Sequence, residues 1–255
     1  MTASKRTKAI LVFHQFGYPQ RIDYIEKVAV KKGWFTVNDC AQSLSSTYCG
    51  KILSEWGDFA VNSFPKFYHC NLGGALVARN RRVQKTIANN YNNLATQHAQ
   101  RANQAYEILL RARQKPSGRE EQFEIDAVYG YLPEVVAFPT RALGFLPDTI
   151  EEIRQDADRR RNLLNIVRAY FPDRVPEPGR GDVVPFAIPI AGEKEHLQRA
   201  SLGIKERFGI EAPILHFDFA RNMLNPDYRK ALVIGCHSEW SDELVTRICK
   251  MIHEG

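Results

Sequence analysis

Between Lys8 and Asn62 the chain runs through a short apolar segment, an amphipathic segment and two more short apolar segments, a rhythm that few architectures can accommodate. Residues 8–14 form an apolar run of aliphatic and β-branched character and read as a buried strand. The stretch Ile22-Asp23-Tyr24-Ile25-Glu26-Lys27-Val28-Ala29 has helical spacing and stops at Gly33, a common C-terminal punctuation. Residues 34–38 and 58–62 are again strand-like, separated by a Ser- and Gly-rich loop, and Gly74–Ala78 reads as another short strand. Strand, helix, strand in this order predicts an α/β fold with a parallel or mixed sheet and helices on its faces.

In open α/β sheets, ligands sit beyond the strand ends. Here the strand 34–38 runs into Asn38-Asp39-Cys40-Ala41-Gln42, and the strand 58–62 into Ser63-Phe64-Pro65-Lys66-Phe67-Tyr68-His69, with Gly73-Gly74 close behind. A lysine in a partly apolar setting can serve as a Schiff-base nucleophile rather than a solvated charge. His14, Tyr68 and His69 border the same region, as structural or pocket-lining side chains.

Farther along, residues 82–114 are rich in Ala, Gln, Asn, Leu and Arg and contain no Gly or Pro, so they read as one long helix or two in succession, broken at Lys115-Pro116-Ser117-Gly118. Pro133, Pro139 and Pro147 keep the next helices short. Asp148 or Thr149 caps a helix that runs to about Tyr170, with acids in its first turn. A strand at 182–190, whose prolines favour a sheet edge, a helix at 194–208, a strand at 231–235 and a helix opening at Ser241 complete a β-α-β-α pattern. Two domains are expected, 1–147 and 148–255.

The chain has 255 residues, 44% hydrophobic and 25% charged, an ordinary globular balance with no apolar run long enough to span a bilayer. Five cysteines without CxxC pairs fit a reducing cytoplasm. The net charge of +6 brings nucleic acid to mind, with Arg79-Asn80-Arg81-Arg82 and Arg159-Arg160-Arg161 as its clusters. Both clusters lie in helix-like stretches that also carry Asn, Gln and acids. A solvated or intersubunit helix face is therefore expected, and no nucleic-acid motif accompanies them. Adjacent pairs such as His69-Cys70 and Cys236-His237 lack the spacing of zinc ligands, and no metal is expected.

Taken in order, Lys8–Gly17 with its His-x-x-Gly turn, Asn38-Asp39-Cys40-Ala41-Gln42-Ser43, Gly57-Asp58, Ser63-Phe64-Pro65-Lys66 and Gly73-Gly74-Ala75-Leu76-Val77 resemble the DegT-like sugar aminotransferases. These belong to the aspartate-aminotransferase-like class of pyridoxal 5'-phosphate (PLP) enzymes. The resemblance implies a three-layer PLP-transferase-like fold, here a partial large domain with a mixed, mostly parallel sheet, plus a small C-terminal α/β domain. It implies that Lys66 forms the cofactor imine, that Asp39 faces the pyridine nitrogen, that Gln42 contacts the cofactor near its phenolic oxygen, and that Ser63 donates to its phosphate. It further implies transfer of an amino group from a donor such as glutamate to a nucleotide-linked keto sugar, in a cytoplasmic homodimer.

There are departures from the family pattern. Relatives carry roughly another hundred residues ahead of the first strand, a stretch of small-domain size holding the phosphate-binding helix start and the ring-stacking aromatic. The family's Asn-x-Arg segment should fall near Tyr129–Pro133, where this chain has no Asn. From the resemblance follow weak PLP retention by this polypeptide alone and a complementing N-terminal partner. The alternative is a non-catalytic or truncated partner subunit that keeps the fold.

Overall fold

The computed structural model describes residues 4–68, 70, 73–79, 81, 83–93, 104, 107, 111 and 146–254. It divides into two compact units, one made of Met1–Tyr68, Gly74–Val77 and Pro147–Gly255, the other of His69–Gly73 and Ala78–Leu146. The first unit thus draws on both sides of position 147. In the second, residues 83–93 are helical, as are 104, 107 and 111; the expected breaker at 115–118 and the Tyr129–Pro133 segment lie outside the described residues.

Strands β1 (Ala9–Phe13), β2 (Phe35–Asp39), β5 (Phe59–Ser63) and β6 (Gly74–Ala78) form a sheet in the order β1-β2-β5-β6. β1 pairs with β2 in parallel, Phe13 opposite Asp39, and β2 with β5 in parallel, Asp39 opposite Val61. Between β1 and β2 lies α1 (Ile22–Lys32), whose Ile22, Ile25 and Ala29 are buried at helical spacing. Gly33 ends it in the left-handed region at φ 67°. The Gly33 N–H reaches the Val30 carbonyl and the Trp34 N–H the Ala29 carbonyl, the paired bonds of a Schellman stop.

The two faces of this sheet differ. Ile10, Val12, Thr36, Asn38, Ala60 and Asn62 are buried, the apolar ones packed with α1, Cys40 and Leu53. On the other face Leu11 is 58% exposed, Phe13 40%, Phe35 53% and Val61 41%. Parallel sheets are ordinarily apolar on both faces because both are covered. Here the face carrying Leu11, Phe13, Phe35 and Val61 is apolar and, among the described residues, exposed.

The loop after β2 is more ordered than its Ser/Gly content suggested. It forms β3 (Thr47–Tyr48) and β4 (Lys51–Ile52), which join β7 (Gly181–Asp182) in a small antiparallel sheet. Ser46 Oγ donates to the Val184 carbonyl and accepts from the Val184 N–H, and the Phe186 N–H reaches the Phe16 carbonyl. The Phe217 ring stacks on Phe16 and meets Tyr18 edge-on. These ties make residues 4–68 and 147–254 one packed unit.

The remaining elements follow the expected order with two differences. α2 (Ile150–Tyr170) is capped by Thr149, whose Oγ1 accepts from the Glu152 N–H at 3.2 Å. β8 (Ala187–Ala191), β9 (Ile214–Asp218) and β10 (Tyr228–Gly235) form an antiparallel sheet ordered β8-β10-β9, against which α3 (Lys194–Phe208) and α4 (Asp242–Glu254) pack. The proline-bearing β8 is an edge strand, as expected, but it begins at Ala187; Asp182 belongs to β7. β9 was not foreseen, because Ile214-Leu215-His216-Phe217-Asp218 is short and carries a central His.

Candidate active site

The three parallel strands deliver their C-terminal ends to one edge of the sheet. His14 follows β1, Asp39 ends β2 with Gln42 three residues on, and Ser63 ends β5 with Lys66 three residues on. All four expected site residues, Asp39, Gln42, Ser63 and Lys66, therefore belong to one sheet edge. Asp39 and Ser63 also share the face that carries Phe13 and Val61, because parallel partners point the same way.

The local bonding leaves much of this polar set available. Asp39 Oδ1 accepts from the Ala41 N–H at 3.0 Å, a turn that fixes the carboxylate, while Oδ2 has no hydrogen bond among the described residues. Gln42 Oε1 accepts from the Phe16 N–H at 2.8 Å, so its amide NH2 is the end left to donate. The N–H groups of Phe67 and Tyr68 both reach the Phe64 carbonyl, at 2.9 and 3.0 Å, and this turn presents the half-buried Lys66. Lys66 Nζ has no hydrogen bond or ion pair among the described residues. A Cβ on Gly74 would collide with the Asn62 carbonyl, so β6 can lie this close to β5 only with glycine there.

His14 is a structural group. It is fully buried, and its Nδ1 accepts from the Gln20 N–H at 3.0 Å, which assigns the ring proton to Nε2. Burial lowers its pKa to about 4, and the neighbouring Asn38 amide opposes that only in part. Neither His14 Nε2 nor Asn38 Oδ1 makes a hydrogen bond of ordinary geometry. The expected turn at Gly17 is sterically enforced: its φ is 91°, and a Cβ would strike the Val184 carbonyl. Burial pushes the Cys40 and Cys236 thiols up to about 12, so both behave as small apolar groups.

The structure adds residues that sequence reasoning placed elsewhere. Of the Arg159-Arg160-Arg161 cluster, expected on a solvated or intersubunit helix face, Arg159 and Arg161 are partly exposed but Arg160 is not. Arg160 is 1% exposed; its Nε bonds Asp156 at 2.7 Å, its Nη1 the Pro185 carbonyl at 3.3 Å and its Nη2 the Phe67 carbonyl at 3.2 Å. Arg159 donates to the Cys236 and His237 carbonyls, and Arg161 pairs with Asp158 and Asp182. Beside the Lys66 turn the rings of Phe67, Phe186 and His237 form a chain of edge-on contacts, with centroids 6.1 and 5.2 Å apart. A signal for Arg160 was present: with Leu163, Leu164 and Val167 it lies on the buried stripe of α2.

The α/β fold of this chain is shared with solved aminotransferases. The aminotransferase TlmJ from Streptoalloteichus hindustanus superposes with a TM-score of 0.60 at 14% identity, over 99% of this chain and 66% of its own. The GDP-4-keto-6-deoxy-D-mannose-3-dehydratase of E. coli, with bound hydrated PLP, superposes with a TM-score of 0.55 at 16% identity, over 99% and 68%. Residues 2–112 match the DegT/DnrJ/EryC1/StrS aminotransferase family. The GDP-perosamine synthase of Escherichia coli O157:H7 is 34% identical over 61 residues, 24% of this chain and 17% of that enzyme. The chain therefore spans only part of the relatives it matches.

Proposed function

We propose that this chain acts in PLP-dependent amino-group transfer to a nucleotide-linked keto sugar, with an amino acid such as glutamate as donor. The observation that carries the reading is the convergence of Asp39, Gln42, Ser63 and Lys66 on one carboxyl edge of β1-β2-β5. This donor set fits the cofactor: a carboxylate for a pyridinium, an amide N–H for a phenolic oxygen, a hydroxyl for a phosphate and an amine for an aldehyde. PLP, when bound, supplies an electron sink for the carbanion formed at the donor's α-carbon. Asp39, fixed by the Ala41 N–H, holds the proton on the ring nitrogen. Gln42, whose oxygen is occupied by the Phe16 N–H, offers its NH2. Lys66 Nζ would hold the aldehyde end of the cofactor and would accept the proton from the donor's α-carbon.

The bare face of Leu11, Phe13, Phe35 and Val61 supports an assembly in which another layer covers it, from a second copy or a complementing partner. The same face favours a second reading, a partner subunit that keeps the fold without turnover. No helix among the described residues is long and apolar enough to cross a membrane, and a cytoplasmic setting fits the family's substrates. We further propose that 148–255 corresponds to a small domain; limited proteolysis that releases this fragment intact would support it. To test the site, PLP is added, reduced with borohydride, and the labelled peptides are mapped. Label on Lys66, lost in Lys66→Ala, is expected. Label spread over surface lysines, unchanged by that substitution, would remove Lys66 from the site.

A further inference from the structure

We infer that Arg160 is a positioning residue for Lys66, acting from α2 through the Phe67 carbonyl. The inference rests on the reading of Lys66 given above. A guanidinium on the apolar stripe of a helix is costly to bury unless its donors are satisfied. Here Nε goes to the Asp156 carboxylate, Nη1 to the Pro185 carbonyl just ahead of β8, and Nη2 to the carbonyl of the residue that follows Lys66. The guanidinium carbon also lies 4.8 Å from the centre of the Phe67 ring. One buried side chain therefore grips both the backbone and the ring of Phe67.

The grip continues sideways. Asp156 receives Arg159 through its other oxygen at 2.8 Å, and Arg159 spans to the carbonyls of Cys236 and His237 beyond β10. The Lys66 turn, the approach to β8 and the exit of β10 thus hang from one carboxylate and two arginines on successive positions of α2. The turn's own backbone bonds, both to Phe64, close it locally but do not fix it to the rest of the unit. Arg160 Nη2 supplies a hydrogen bond that does. Its planar fork suits this task, and a lysine, with a single ammonium, cannot reproduce three separate directions.

The test compares wild type with Arg160→Lys and Phe67→Leu, the second leaving the hydrogen bonds in place and removing only the ring contact. Four quantities are read: trypsin cleavage after Lys66 in the native protein, PLP incorporation at Lys66, the extent of Lys66 acylation by competitive labelling with peptide mapping, and melting temperature. Arg160→Lys should speed cleavage after Lys66 and lower PLP incorporation there by about tenfold, the size of one charge-assisted hydrogen bond. Acylation of Lys66 should rise relative to that of remote lysines such as Lys27, whose labelling stays unchanged. Phe67→Leu should move the same readouts the same way by a smaller factor, and it keeps the test alive if Arg160→Lys melts too low to study. Cleavage and acylation at Lys66 unchanged in both variants overturn the inference. PLP failing to label wild-type Lys66, with the cleavage and acylation shifts intact, instead overturns the functional reading and leaves the grip standing.

Discussion

Acid should unfold this protein partly through His14, by an amount set by its burial. In the unfolded chain the imidazole titrates at its ordinary 6.5; in the fold burial holds it near 4. Between those values the unfolded state binds a proton that the native state refuses, so stability falls as pH drops through 6.5 and levels off below about 4. Linkage for one such group gives a loss of about 2 kcal/mol between pH 7 and pH 5, approaching ~3 kcal/mol at the acid limit. The assay is urea unfolding at a series of pH values for wild type and for His14→Asn. The asparagine oxygen can still accept the Gln20 N–H that His14 Nδ1 accepts at 3.0 Å. Other titrating groups cancel in the difference between the two proteins. The variant should therefore lose less stability than wild type on going to pH 5, by about 2 kcal/mol. Parallel stability curves would show that His14 takes up its proton freely in the fold and would refute the argument.

Asp39→Asn keeps an oxygen for the Ala41 N–H but not the charge, so PLP should still attach to Lys66 while amine transfer in single-turnover absorbance traces falls on the order of 100-fold. Gly17→Ala forces a side chain at φ 91° against the Val184 carbonyl and should cost at least about 2 kcal/mol in denaturant titrations. Thr149→Ala removes the cap from α2 and should cost about 1 kcal/mol, seen as a lower melting temperature with an unchanged far-UV spectrum, whereas Thr149→Ser should be close to neutral.

Much of this fold was legible because its signals are local. β1, α1 with its stop at Gly33, β2, β5 and α2 with its cap are each written in a few adjacent residues: apolar runs, helical spacing, a glycine where the left-handed region is needed. The sheet edge that carries Asp39, Gln42, Ser63 and Lys66 was legible for a related reason, since these residues follow apolar runs at strand ends. What escaped depends on partners far away in sequence. β3 and β4 are two residues each and exist because β7, more than 130 residues on, pairs with Tyr48 through Gly181. Arg160 was assigned to a solvated or intersubunit face on the strength of its charge, whereas the phase of Leu163, Leu164 and Val167 placed it inside. The burial of Arg160 depends on partners out of its sequence neighbourhood, the Pro185 and Phe67 carbonyls, beside its helix neighbour Asp156.

The uncovered face of the β1-β2-β5 sheet has a thermodynamic consequence. A sheet finished on one side places part of its stabilisation in whatever covers the other, and that part is governed by mass action. Dilution then weakens the fold as well as the assembly, and the apparent melting temperature should climb with protein concentration if copies cover one another, or with the titre of the covering chain if another polypeptide does. Selection on Leu11, Phe13, Phe35 and Val61 would then act through encounter frequency in the cell, so the expression level of the covering layer becomes a determinant of how much of this protein is folded at any moment.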